Sequence, residues 1–157
     1  EACHFTDLFY WLLDSEPISV AAHSFPSELQ EPVGENNLCA SFRFADGSIA
    51  ALTYGTAGSP TSGGERVEVF ASGLGAGVED FKRFWHAGRT RSSKSSWFAN
   101  KGYEAQMQAF AAAIRGQQPA AVNVRDGARA TLCCLRMLDA ARSGQAESID
   151  LDGLLSA

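Results

Sequence analysis

No stretch of this chain stays apolar for the roughly 18 residues that a bilayer-spanning helix needs. Surplus positive charge is missing as well: 13 Lys and Arg stand against 18 Asp and Glu, a formal net charge of −5. Nucleic acid and anionic membrane surfaces repel such a balance, so broad binding to either is not expected. Cysteine is sparse, and Cys3, Cys39, Cys133 and Cys134 form no C-x-x-C pair. Two adjacent thiols are poorly placed to share one metal, so no metal site is expected, and reduced thiols in a cytoplasmic protein are the default reading. None of the glycine-rich turns ends in the Gly-Lys-Ser/Thr of a phosphate loop. An initiating Met, an N-cap and a signal peptide are likewise absent, and the first residues read as helix, which leads us to expect a fragment of a longer protein. What is present is ample for one core: 157 residues, 45% of them hydrophobic, read as a single domain spanning 1–157.

The opening stretch, Glu1 to Asp14, organises the rest. Phe5, Leu8, Phe9 and Leu12 recur at helical spacing and ask for a core on one side. His4, Asp7 and Trp11 lie at i, i+3 and i+7, a stripe beside that apolar side. A histidine and a carboxylate one turn apart suit proton transfer near neutral pH, and equally suit a core-edge imidazole that meets a nearby Asp.

Downstream, Glu16-Pro17 breaks the helix and Ile18 to Ala22 reads as a strand, followed by a polar loop over 25–37. Asn37 to Phe44 alternates strictly, Asp46-Gly47 supplies a hairpin turn, and Ile49 to Gly55 returns. A two-residue loop would pair Phe44 with Ile49 and Phe42 with Ala51. It would leave Cys39, Ser41, Arg43, Ala50, Leu52 and Tyr54 on a half-apolar face that a partner subunit or another domain should cover. Gly55 to Gly64 reads as a flexible hairpin connection and Arg66 to Ala71 as a third strand. Ser72-Gly73-Leu74-Gly75-Ala76-Gly77 resembles a dinucleotide fingerprint superficially. Its spacing is G-x-G-x-G and no amphipathic helix follows, so it reads as a turn between strands. Phe81 to Ala87 is a further strand, and the basic residues from Lys82 to Lys94 read as a solvated edge strand and loop.

Two helices follow. Asn100 is the expected N-cap of the first, with Tyr103, Met107, Phe110, Ala111 and Ile114 as its apolar stripe and Gly116 as its stop. Asn123 caps the second with Asp126 in a capping box, and Ala128, Thr131, Leu132, Leu135 and Leu138 form its stripe up to Gly144. Cys133 and Cys134 fall in this helix as packing residues. A short strand around Ile149 and Leu151 closes the chain. The order argues an α+β fold: an open-faced, largely antiparallel sheet of about six strands with helices packed on one face.

Read as C-H-x-x-D-L, residues Cys3 to Leu8 resemble the start of the C-terminal domain of the Gfo/Idh/MocA family of nicotinamide-dependent oxidoreductases. Phe44 to Ile49, Glu65 to Phe70 and Phe110 to Gly116 are similar to successive family segments, so the resemblance extends over nearly the whole chain. It implies the substrate and oligomerisation domain of an enzyme that moves a hydride between NAD or NADP and a hydroxyl of a sugar, sugar nucleotide or cyclitol. His4 would then serve as the base or part of its relay, Asp7 would orient it, and Lys101 and Tyr103 would contact substrate. The cofactor would be held mainly by an N-terminal Rossmann domain absent from this chain, as is the family's Glu-Lys-Pro lysine, so the fragment alone should bind no cofactor and be inactive. A homodimer or higher oligomer through the sheet face is also implied. The alternative is a non-catalytic dimerisation domain of the same fold, against which the His4 and Asp7 pair speaks.

Overall fold

The computed structural model describes residues 1–25, 36–59, 61 and 64–156. These fall into two compact units, Glu1–Ala57 with Val122–Ala157, and Gly58–Ala121. The class is α+β, as expected, and every strand pairing is antiparallel among the described residues. The strands are divided over two four-stranded sheets, one in each unit. Most of the polar loop lies at 26–35, outside the described residues, as do residues 60, 62 and 63 of the Gly55–Gly64 connection.

In the first unit, α1 (Ala2–Leu13), β1 (Pro17–Ser24), β2 (Asn37–Phe44) and β3 (Ile49–Gly55) are followed, after the second unit, by α3 (Val124–Ser143), β8 (Glu147–Ser148) and α4 (Leu151–Ser156). The sheet order is β3-β2-β1-β8, with α1 and α3 on one face. Val20, Ala22, Leu38, Ala40, Phe42 and Phe44 point into that layer and meet Leu132, Cys133, Met137 and Ala140 of α3. On α1 the residues against the core are Ala2, Phe5, Phe9 and Leu13, with Thr6 buried among them, while Leu12 faces out. The Phe9 ring lies 5.9 Å from that of Phe42.

The hairpin corrects the expected register. Gly47 donates to the Phe44 carbonyl at 3.0 Å and Phe44 donates to the Ser48 carbonyl at 3.0 Å, so the loop is Ala45-Asp46-Gly47. Gly47 takes φ 90°, the positive angle that closes a three-residue hairpin. The Asp46 carboxylate accepts from the Ser48 amide at 3.0 Å and hydroxyl at 2.8 Å, and the amide first, then the hydroxyl, hold it below its ordinary range. One extra loop residue shifts the pairing by one, and a shift of one turns every side chain of a strand over. Phe42 therefore pairs with Ala50 and Ala40 with Leu52. Leu52, 6% exposed, belongs to the core, and Tyr54 packs against it. The open face instead carries rows of paired residues: Ser19, Arg43 and Ile49; Ala21, Ser41 and Ala51; His23, Cys39 and Thr53.

In the second unit, β4 (Arg66–Ala71), β5 (Leu74–Glu79), β6 (Arg83–Ala87) and β7 (Arg91–Ser95) form a meander, and α2 (Tyr103–Ile114) follows. Of the Gly-rich run only Ser72 and Gly73 turn, with φ 50° and 76°. Gly75 and Gly77 lie inside β5, because the Trp85 indole on β6 takes the space a side chain would need. A Cβ on Gly77 would stand 2.5 Å from Trp85 Nε1. Gly102, not Asn100, is the N-cap of α2; Asn100 supports it by accepting from the Gly102 amide at 3.0 Å. The expected α2 stripe is not buried: Tyr103, Met107, Phe110 and Ile114 are all exposed.

The α3 capping box is as expected, with Asn123 accepting from the Arg125 and Asp126 amides and Asp126 accepting from the Asn123 amide. Its buried face is Arg129, Ala130, Leu132, Cys133, Met137 and Ala140, a rotation from the expected stripe that leaves Thr131 and Leu135 exposed. Leu151 starts α4 and does not continue a strand, since Asp150 accepts from the Gly153 amide at 2.8 Å and turns the chain into a helix.

Candidate functional site

α1 begins without a side-chain cap, and His4 falls in its first turn with the imidazole exposed. Asp7 stands one turn later and is half-buried, and Trp11, one further turn along, is exposed. The three form a stripe beside the Ala2, Phe5, Phe9 and Leu13 contact, which leaves the imidazole open to a small molecule. No hydrogen bond or ion pair joins His4 and Asp7 among the described residues, so the pair is brought together by helical spacing alone.

Lys101 and Tyr103 lie together at the start of α2, in the other unit. The Lys101 ammonium is 2.9 Å from Glu65 Oε1 and 5.1 Å from the centroid of the Phe81 ring, which ties the approach to α2 onto the base of β4. Tyr103 is exposed at the first position of α2. A hollow of about 490 Å³ beside the turn between β4 and β5 is lined by Phe70, Leu74, Trp85 and Ala87, and by none of His4, Asp7, Lys101 and Tyr103.

The strongest polar constellation in the first unit went unread in the sequence. Arg129, with its side chain 5% exposed, donates to both carboxylate oxygens of Glu16 at 2.8 and 2.9 Å and to Asp126 at 2.9 Å. Its guanidinium lies 3.5 Å from the centroid of the Tyr10 ring. Burial pulls the pKa of Arg129 down, but the bonds to Glu16 and Asp126 outweigh that pull and raise it above its ordinary value. For Asp126 the Asn123 amide, then Arg129, hold the carboxyl below its usual range. This cluster fastens the end of α1, the start of β1 and the first turn of α3 together; every charge in it has a partner, which is the pattern of a structural clamp. The sequence signal that could have found it is Asp126 three residues before Arg129, a helical ion-pair spacing directly after a capping box.

No family model and no curated protein matches the sequence. Structures do match, and what they show is the fold: the chain is similar to roughly half of each of several oxidoreductases, in keeping with the resemblance of C-H-x-x-D-L. It is similar to UDP-N-acetylglucosamine 3-dehydrogenase from Acidithiobacillus ferrooxidans, with TM-score 0.76 and 19% identity over 90% of this chain and 46% of that one. It is similar to aldose-aldose oxidoreductase from Caulobacter crescentus, with TM-score 0.77 and 15% identity over 94% of this chain and 45% of that one. A third likeness is the WlbA dehydrogenase from Bordetella pertussis, solved with NADH and UDP-GlcNAcA, at TM-score 0.62 and 19% identity over 96% of this chain and 44% of that one. The chain thus spans a little under half the length of the structures it matches.

Proposed function

We propose that this chain is the substrate and catalytic part of a longer oxidoreductase that transfers a hydride between NAD or NADP and a hydroxyl of a sugar, sugar nucleotide or cyclitol. The likeness to structures that include sugar-nucleotide and aldose oxidoreductases supports the class. The observation that carries the site is His4, exposed on α1 beside Asp7 and clear of the core. His4 takes the proton of the substrate hydroxyl directly or as part of a relay, Asp7 orients it, and Lys101 and Tyr103 contact substrate. Four free cysteines and the lack, among the described residues, of a helix long and apolar enough to cross a membrane support a cytoplasmic setting.

We expect no nicotinamide cofactor to bind this chain by itself. The Ser72-Gly73 turn leads into a strand and not a helix N-terminus, so it offers no pyrophosphate cradle. Titration of the chain with NADH and with NADPH should give no saturable heat, and micromolar binding would overturn this assignment. The test of the reading as a whole is NAD or NADP reduction by the longer gene product across a panel of sugars, sugar nucleotides and cyclitols. No turnover with any of them would sink it.

We further read the open face of the first sheet as a self-association surface. Its middle row, Ala21, Ser41 and Ala51, is small enough for a second sheet to approach closely. Ala51→Arg should shift the mass seen by light scattering toward monomer, with the core untouched because Ala51 is exposed. A wild-type chain already monomeric at high concentration would refute the reading.

A further inference from the structure

α1 and α3 run antiparallel where they touch. Arg129 lies on Tyr10. One turn earlier on α1, the Thr6 hydroxyl donates to the Ala130 carbonyl at 3.2 Å and lies 3.9 Å from Cys134 Sγ. Contacts therefore step back along α1 as they step forward along α3. The next position on this face of α1 is Cys3, whose carbonyl also accepts from the Thr6 hydroxyl, at 3.1 Å. Residues three apart share a helix face, so Cys3 faces the turn of α3 that carries Cys134. A threonine hydroxyl bridges two helices only where their backbones come close. A disulfide needs the same closeness, with Cα atoms within about 7 Å.

We propose that Cys3 and Cys134 form a reversible disulfide that staples the first turn of α1 to α3. Both thiols are half-buried, whereas Cys133 is 2% exposed in the core and Cys39 sits on the open sheet face. The step balances as exchange with a small disulfide such as oxidised glutathione. One protein thiolate attacks it, forming a mixed disulfide and releasing one glutathione. The second protein thiolate then displaces the other glutathione, and the two protons go to the leaving thiolates. Burial first, then the neighbouring Cys3, push the Cys134 thiol up, against the Thr6 hydroxyl, so thiolate is scarce at neutral pH and exchange quickens as pH rises. The staple closes beside His4. By pinning the turn that carries His4 it should lower turnover of the longer protein, an effect that rests on the proposed function, while the disulfide itself does not.

Residues 1–42 contain no Lys or Arg, so Cys3 and Cys39 share the tryptic peptide that ends at Arg43, and the experiment is run in a Cys39→Ser background. After incubation with oxidised glutathione at alkaline pH, the intact mass should fall by two hydrogens. A non-reducing tryptic map should join the N-terminal peptide to the one holding Cys133 and Cys134. Cys134→Ser should abolish that link and Cys133→Ala should keep it. The stapled chain should melt roughly 5–10 °C higher, reversibly with dithiothreitol. A link that survives Cys134→Ser, or glutathione adducts with no link, would overturn the staple. A mapped staple that leaves turnover of the longer protein unchanged would instead overturn only its consequence at His4.

Discussion

In the longer oxidoreductase proposed above, His4→Ala should lower kcat by about a hundred- to ten-thousand-fold, the usual cost of losing a positioned acid-base group. The melting temperature should hold, because the imidazole is exposed and the α1 contact with the core runs through Ala2, Phe5, Phe9 and Leu13. Added imidazole should restore part of the rate if the missing group is a proton acceptor and not a structural plug. The limb of the pH profile that belongs to the base should vanish in His4→Ala and persist in Asp7→Asn, whose loss should be the milder one, about tenfold or less. A rate within a few-fold of wild type for His4→Ala across the pH range would end the catalytic reading and leave the non-catalytic domain of the same fold.

Arg129→Ala should destabilise the first unit by about 2–3 kcal/mol. Removing one partner of a buried ion pair typically costs about 3–5 kcal/mol, and we scale this down because the Glu16 side chain is 47% exposed and can be rehydrated. The melting temperature should fall by roughly 4–12 °C. Arg129→Met keeps an apolar stem of similar length while losing the guanidinium over Tyr10, and should recover part of the loss, which separates packing from charge. The acid limb should move as well. The Asp126 pKa is depressed in the fold, so its contribution is present above its unfolded value of 3.8 and is lost as pH falls through the lower folded value. Without Arg129 one of the causes of that depression goes, so acid unfolding should begin at a higher pH. The check is chemical denaturation at neutral pH and an acid titration followed by circular dichroism. A change below about 0.5 kcal/mol, the range of ordinary surface substitutions, would show that the clamp is ornamental.

Where a local pattern admits one solution, the sequence was sufficient. Asn37 to Phe44 alternates without a break and forms β2 with those bounds. Asn123 and Asp126 form the capping box they spell. The register of β3 was not legible, because Ala45-Asp46-Gly47-Ser48 is compatible with a loop of two residues or three, and only the bonds of Phe44 to Gly47 and Ser48 decide. The buried side of α3 was hidden for another reason. Spacing through Leu132, Leu135 and Leu138 points to a face next to the true one, because the buried side is made in part by Ala130, Cys133 and Ala140, residues whose small side chains weigh little in an apolar pattern. β5 was missed because glycines argue against a strand until the Trp85 indole that replaces their side chains is in view. At the candidate site the helix and the spacing of His4 to Asp7 were readable. The Arg129 clamp and the Thr6 bridge were not, since each joins residues more than a hundred positions apart.

The three-residue hairpin loop also imposes a rule of parity on the gene. Losing or gaining a single codon between Phe44 and Ile49 would carry Leu52 and Tyr54 out to solvent and bring Ile49, Ala51 and Thr53 under the helices. Two codons together would restore the same inward set and merely change the length of the tip. Length variation at this hairpin should therefore come in pairs, and a relative whose loop differs by one must carry a compensating bulge or a rewritten strand.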